Sequence, residues 1–283
     1  MNRGRALFAL SRYLRWQVGS RLVPGAVAVP FVDGTRLLVE PGMTGATGNI
    51  YCGLHEFADM AFVLHALRPG DVFVDVGANI GSYTVLAAGG CGASVIAIEP
   101  VPFTSTRLID NIRLNNIESL VVAKNTAVGA AQGHLRFTTT LDTMNHVLCD
   151  SEAGESAAIS VPMNTVDAIL DGRKPVLVKI DVEGYESEVV RGAEDALKAE
   201  TLLAVLMEIT VDGNPYGFDG SELHSQMAGL GFTLCAYDPA TRELTASEIA
   251  NVRQGNGLYV RDLSTLRERI KSAPERAIHG TRL

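Results

Sequence analysis

At 283 residues the chain is long enough to bury a sizeable core, in one large domain or two small ones. Its make-up is that of a globular protein, with 47% hydrophobic and 20% charged residues. A net charge of −8 gives it no overall electrostatic footprint for nucleic acid. The four cysteines, Cys52, Cys91, Cys149 and Cys235, lie far apart and form no C-x-x-C pair, which argues against a zinc site or a disulfide framework and for a reducing, cytoplasmic setting.

In chain order, residues 1–69 read as an N-terminal helix and short strands capping the main domain. Arg3, Arg5, Arg12 and Arg15 are interleaved with Leu7, Phe8, Leu10, Tyr13 and Leu14. The run has no long apolar core and no small-residue cleavage site, so it is not read as a signal peptide. A helix packed on its own domain with arginines in solvent is the preferred reading, and peripheral contact with an anionic membrane the alternative. No stretch approaches the eighteen uninterrupted apolar residues of a membrane span.

From residue 70 strands alternate with helices. The turn Arg68-Pro69-Gly70-Asp71 opens a strand at Val72–Val76, followed by a helix from about Ser82 to Ala88. Ser94 to Glu99 is a second strand, Thr104 to Asn115 a helix, and Leu120 to Ala123 a third strand. Residues 130–165 break the rhythm and are read as an insertion over one end of the sheet, with surface filler as the competing reading. Strands at Val176–Asp181, Leu202–Ile209, Phe232–Tyr237 and Gly257–Val260 follow, with helices near Ser187–Ala199 and Gly220–Leu230. The expectation is a doubly wound, seven-stranded, mostly parallel α/β sheet with an antiparallel last strand. Residues 70–263 form its domain, and 264–283 a charged helix or tail.

The sharpest chemistry lies in Asp75-Val76-Gly77-Ala78-Asn79-Ile80-Gly81, at the carboxyl end of the first strand. Gly77 and Gly81 let the backbone turn tightly and approach a ligand, and the following helix offers free N–H groups. The G-x-G-x-x-G of dinucleotide sites is missing, because Asn79 stands where the second glycine would be. Asp75 inside the turn suits a cationic group better than a pyrophosphate. Glu99 ends the second strand, where a carboxylate can accept hydrogen bonds from both ribose hydroxyls. Either acid alone could be an ordinary strand-end residue; the two together around a glycine turn are less easily a coincidence.

The run from Gly70 to Thr84 resembles the first motif of the FkbM family of methyltransferases. Ile98-Glu99-Pro100, Asn111 to Asn115, Glu208 in Leu206–Ile209, and above all Lys179-Ile180-Asp181-Val182-Glu183-Gly184-Tyr185-Glu186 extend the likeness over about residues 50 to 260. The resemblance implies a class I methyltransferase fold (Rossmann-like), S-adenosyl-L-methionine (SAM) as methyl donor, and methylation of a hydroxyl on a sugar, glycan or natural product. Asp75, Gly77, Asn79 and Gly81 would then surround the methionine portion of SAM. Glu99 would hold the ribose beside Pro100, and Thr126 and Ala127 would meet the adenine. Glu56 matches an acidic position ahead of the first motif.

On the reacting side, Asp181 at the tip of the fourth strand is the first choice for a base or acceptor-orienting group. Lys179, two residues earlier on the same face, is a partner for it, and a purely structural ion pair is the alternative for both. Glu208, an acid closing an apolar strand, is the second candidate for acceptor contact. His146 in the insertion is a minority candidate for the base. No metal is expected; a cation on Asp181, Glu208 and a histidine is the alternative. The rival functions are a nicotinamide-dependent oxidoreductase and a non-catalytic scaffold on a degenerate methyltransferase fold. The acceptor's identity and the oligomeric state are not encoded in these patterns.

Overall fold

The computed structural model describes residues 6–22, 25–138, 147–148, 158–210, 216–248 and 254–283. Eight strands form the main sheet: β1 Val72–Val76, β2 Ser94–Ile98, β3 Val121–Lys124, β4 Leu177–Ile180, β5 Ala204–Thr210, β6 Thr233–Asp238, β7 Glu243–Ala246 and β8 Gln254–Val260. Their order across the sheet is β7-β6-β8-β5-β4-β1-β2-β3. Strands β3, β2, β1, β4 and β5 are mutually parallel, and β8 runs antiparallel to both β5 and β6. The seven expected strands are all present, and β8 does pair antiparallel with β6. The eighth strand, β7, forms a hairpin with β6 that the reading of the sequence lacked.

Continuous apolar runs form the central strands because both faces are covered. Alternate residues enter two separate core layers. Phe73, Val95, Leu177 and Leu206 face one layer; Val74, Ile96, Val178 and Val205 face the other. The first layer is closed by N-terminal elements: helices α1 Ala6–Leu22, α2 Thr44–Cys52 and α3 Phe57–Ala66, and the hairpin Val27–Pro30/Arg36–Val39. α3 is deeply buried, with Ala61 to Leu64 fully shielded from solvent.

Three helical expectations are modified. The helix after β1 is α-helical only over Ser82–Val85 and closes through a π-helical turn, Leu86–Gly90. The helix expected over 187–199 is two, Glu186–Arg191 and Glu194–Lys198. They break near Gly192, where a Cβ would stand 2.1 Å from the Gly129 carbonyl oxygen. Residues 264–283 supply helix Leu263–Lys271 and a two-stranded hairpin whose Ile278 bridges to Val32. In the insertion, Gly133–Thr138 and Ala158–Asn164 pair as a hairpin, which Ala127–Val128 joins in parallel.

Strand order reverses at β1, since β2 and β3 lie on one side of it and β4 and β5 on the other. That reversal opens a crevice at the carboxyl tips of β1, β2 and β4, where ligands bind in sheets of this kind.

Candidate active site

A cleft of about 620 Å³ occupies this crevice, a volume ordinary for a small-molecule site. Asp75, one residue before the end of β1, is 1% exposed. Its Oδ2 accepts a hydrogen bond from Thr84 Oγ1 at 2.6 Å, while Oδ1 is buried without a partner. Burial raises its pKa, and the nearby Lys179 ammonium and the Thr84 bond act in the other direction. After β1 the chain turns through Gly77 (φ 78°) and Asn79 (φ 51°), both in the left-handed region. The amides of Gly77 and Ala78 donate to the Ile98 carbonyl at 3.0 and 2.9 Å, tying the turn to the tip of β2.

That tip carries Glu99, 6% exposed. Its Oε2 accepts from the Asn79 amide and its Oε1 from the Val101 amide, both at 2.9 Å. Burial pushes the carboxyl up to about 7, although the two amides favour its ionised form. Each oxygen retains capacity for a further donor. Pro100, Thr126 and Ala127 line the cleft as well, as do Phe137 and Val147 of the insertion. Thr126 is held by a 2.8 Å bond from its hydroxyl to the Pro162 carbonyl.

The other wall is a polar network. Lys179, 3% exposed, donates to Asp181 Oδ2 at 2.6 Å and lies 4.7 Å from the centre of the Tyr83 ring. Burial alone would lower the ammonium's pKa, but Asp181, Glu56 and Asp75 outweigh it and the pKa is raised. Tyr83 Oη donates to Glu56 Oε2 at 2.7 Å. Asn256 Nδ2 donates to Glu56 Oε1 at 3.0 Å and to Asp59 Oδ2 at 2.9 Å. Burial pushes Asp59 up to about 6, against the pull of the Asn256 bond. Glu208 lies inside β5 opposite Asn256 of β8, not at the strand's end, because β5 continues to Thr210. Its Oε2 is buried without a hydrogen-bond partner. Burial, with Asp181, Glu183 and Glu186 beside it, pushes Glu208 up to about 8. Carboxylate oxygens of Asp181, Glu183 and Glu208 come within 4.8 Å of one another, a group able to receive a cation. Glu186 serves the backbone instead. Its Oε1 accepts the Val182 and Gly184 amides at 3.2 and 3.1 Å, holding the turn after Asp181.

Of the expected site residues, Asp75, Gly77, Asn79, Glu99, Pro100, Thr126, Ala127, Glu56, Lys179, Asp181 and Glu208 all line the one cleft. Gly81 does not line it. It caps the helix after the turn at φ 93°, and a Cβ there would fall 2.6 Å from Leu108 Cδ1, so close helix packing explains this glycine. His146 lies outside the described residues. Tyr83, Asp59 and Asn256 were not anticipated. Tyr83 falls inside the first motif and could have been found there, but Asn256 has no local signal, because it meets Glu56 across 200 residues of chain.

The site fits SAM on its own chemistry. The orphaned, buried Asp75 oxygen is an acceptor that an ammonium would satisfy, and Glu99 offers two oxygens at hydrogen-bonding reach of a ribose diol. A parallel sheet with this strand order, an antiparallel strand inserted beside β5 and acids at the first two strand tips define the class I methyltransferase fold. Residues 75–234, more than half of the chain, match the model of the methyltransferase FkbM domain, and the chain belongs to that family. It is 28% identical over 150 residues to the hexuronic acid methyltransferase AglP of Haloferax volcanii, an overlap of 53% of this chain and 61% of that protein. Among solved structures, it is similar to a methyltransferase FkbM from Methylobacillus flagellatus (16% identity, TM-score 0.45, 76% of this chain and 52% of that one). It is also similar to the Pyrococcus abyssi tRNA (uracil-54, C5)-methyltransferase solved with S-adenosyl-L-homocysteine (11% identity, TM-score 0.44, 84% of this chain and 45% of that one). The chain thus spans less than two thirds of the length of each of these three.

Proposed function

We propose that this protein is a SAM-dependent O-methyltransferase acting on a hydroxyl of a sugar, glycan or similarly hydroxylated acceptor. The observation that carries the reading is the pair of buried strand-tip carboxylates, Asp75 with one oxygen unpartnered and Glu99 on the adjacent strand, around the Gly77 turn. A nicotinamide dinucleotide would bring its pyrophosphate against Asp75, which disfavours the oxidoreductase. The complete polar constellation disfavours a degenerate scaffold.

When bound, SAM supplies an electrophilic methyl group on a sulfonium and leaves as a neutral thioether. Asp75 and Glu99 hold its charged and ribose ends, so that positioning supplies much of the rate. Asp181 accepts the proton released from the acceptor hydroxyl as the new C–O bond forms. Lys179, fixed by Asp181 and the Tyr83 ring, orients that carboxylate. Glu208, protonated near neutrality, donates a hydrogen bond to the acceptor. Seven carboxylate side chains line the cleft against one lysine, which suits a neutral polyhydroxyl acceptor donating hydrogen bonds. The AglP relative, named for a sugar acid, supports the sugar class. The cofactor is tested by calorimetry with S-adenosylhomocysteine (SAH) and with NAD, the acceptor by methyl transfer to a panel of neutral and acidic sugars. NAD binding without SAH binding would refute the proposal.

A further inference from the structure

The outer face of α1 differs from the rest of the surface. Nine large hydrophobic side chains are exposed among the described residues, and seven of them are on this helix. At 100° per residue, Leu7, Leu10, Leu14, Val18 and Leu22 share one face, with Leu7 81% and Leu22 75% exposed. The opposite face is anchored: Trp16 is 8% exposed, and Arg12 donates to the carbonyls of Ile50 and Tyr51, each at 3.1 Å. So the helix packs on its domain, as expected, yet leucines rather than arginines alone meet the solvent. Residues 1–32 hold five arginines and no acidic residue, in a chain whose net charge is −8.

We propose that α1 docks this protein on an anionic lipid surface, lying in the interface with its leucine face inserted. A contiguous exposed apolar patch marks an interaction surface, and the arginines on and beside it suit anionic headgroups. Arg15 stands at the edge of the face and Arg21, bonded to Gln17, within its last turn; both are exposed and would meet lipid phosphates, while the acidic remainder of the molecule is repelled by the same surface and orients the helix towards it. The 17 residues would extend only about 26 Å and carry three arginines, so the helix lies on a bilayer and does not cross it. A second copy is a poorer occupant, since residues 1–32 hold no acidic residue and a self-paired patch would offer Arg15 and Arg21 no carboxylate. α2, which receives the Arg12 bonds, also lines the cleft through Gly45, Ala46 and Asn49, so docking brings the cleft close to the membrane. An acceptor displayed at that surface is therefore favoured, a consequence that rests on the methyltransferase reading; the docking itself does not.

The full chain is floated with phosphatidylcholine vesicles, with and without about 30% phosphatidylglycerol, at low and high salt. Binding to the anionic vesicles only, weakened at least tenfold by high salt, is expected. Leu10→Glu with Leu14→Glu should abolish it, and Arg15→Glu with Arg21→Glu should remove the anionic preference. Both pairs are exposed, so the melting temperature and SAH binding should stay at the native values. No flotation with anionic vesicles, or equal flotation of the leucine double variant, overturns docking. So does a dimer in sedimentation velocity that L10E/L14E dissociates while vesicles capture nothing. SAH binding without flotation refutes docking alone, and flotation without SAH binding refutes only the methyltransferase reading.

Discussion

The backbone oxygen of Asp181 stands 1.8 Å from the point a Cβ on Gly77 would occupy. The turn after β1 and the tip of β4 are thus in contact through main chain, and no side chain fits between them. Gly77→Ala should cost ~2–4 kcal/mol, because the clash is with backbone and φ is positive, and should abolish SAH binding. Gly70→Ala is the control: it has a φ of 86° but nothing within 4 Å of the added carbon, so only the left-handed strain of ~1 kcal/mol remains. Urea midpoints separate the two costs. Equal losses would remove the steric argument.

Glu99 ionises near neutrality, and the ionised carboxylate is the stronger acceptor for ribose hydroxyls. SAH affinity should therefore rise between pH 6 and pH 8. Glu99→Gln should bind at least tenfold more weakly, a loss of ~1.4 kcal/mol, with that rise gone. Calorimetry at three pH values reads both effects, and a pH-dependent Glu99→Gln would place the titration elsewhere.

For Glu208, held up to about 8 chiefly by burial, the donor form is lost above that pH. kcat/KM for methyl transfer should fall on the alkaline side. Glu208→Gln keeps a donor and should remove that fall, whereas Asp181→Asn should lower kcat by ~10²–10⁴ at every pH. The folded-state pKa is raised above the unfolded value, so the contribution of Glu208 to stability is present at acid pH and lost as pH rises through about 8. Glu208→Gln should accordingly stabilise the unliganded protein above pH 8, by ~1–3 kcal/mol.

His65 is fully buried, with Nδ1 2.6 Å from Tyr237 Oη. Burial, with Arg242 and Arg276 adding to it, lowers its pKa to about 4. The unfolded chain binds this proton at higher pH than the folded one, so stability from His65 is complete above the ordinary histidine pKa of 6.5 and is lost as pH falls towards 4, by up to ~3 kcal/mol. Its imidazole signals should show no titration above pH 5 by NMR. A midpoint near 6.5 would contradict the burial.

The sequence alone determined the sheet and the acids and glycine turn at its first two strand tips. Short, mainly apolar runs such as Val72–Val76 and Ser94–Ile98, each bounded by turn residues, read as strands covered on both faces, and the Asp75–Gly81 turn and Glu99 sit at their tips by chain connectivity. Local patterning carries that much, because each strand and its following turn are contiguous in the chain. Tertiary structure decided what contiguity does not encode. Glu56, Asp59, Tyr83, Lys179 and Asn256 become one network only when α3, β4 and β8 meet. The same holds for Gly77 and Gly81, alike as turn glycines in sequence. One faces the Asp181 carbonyl in the cleft and the other the Leu108 side chain in the core, a distinction set by which element packs against each. The leucine face of α1 likewise emerged only once Trp16 and Arg12 had fixed which side of the helix turns inward.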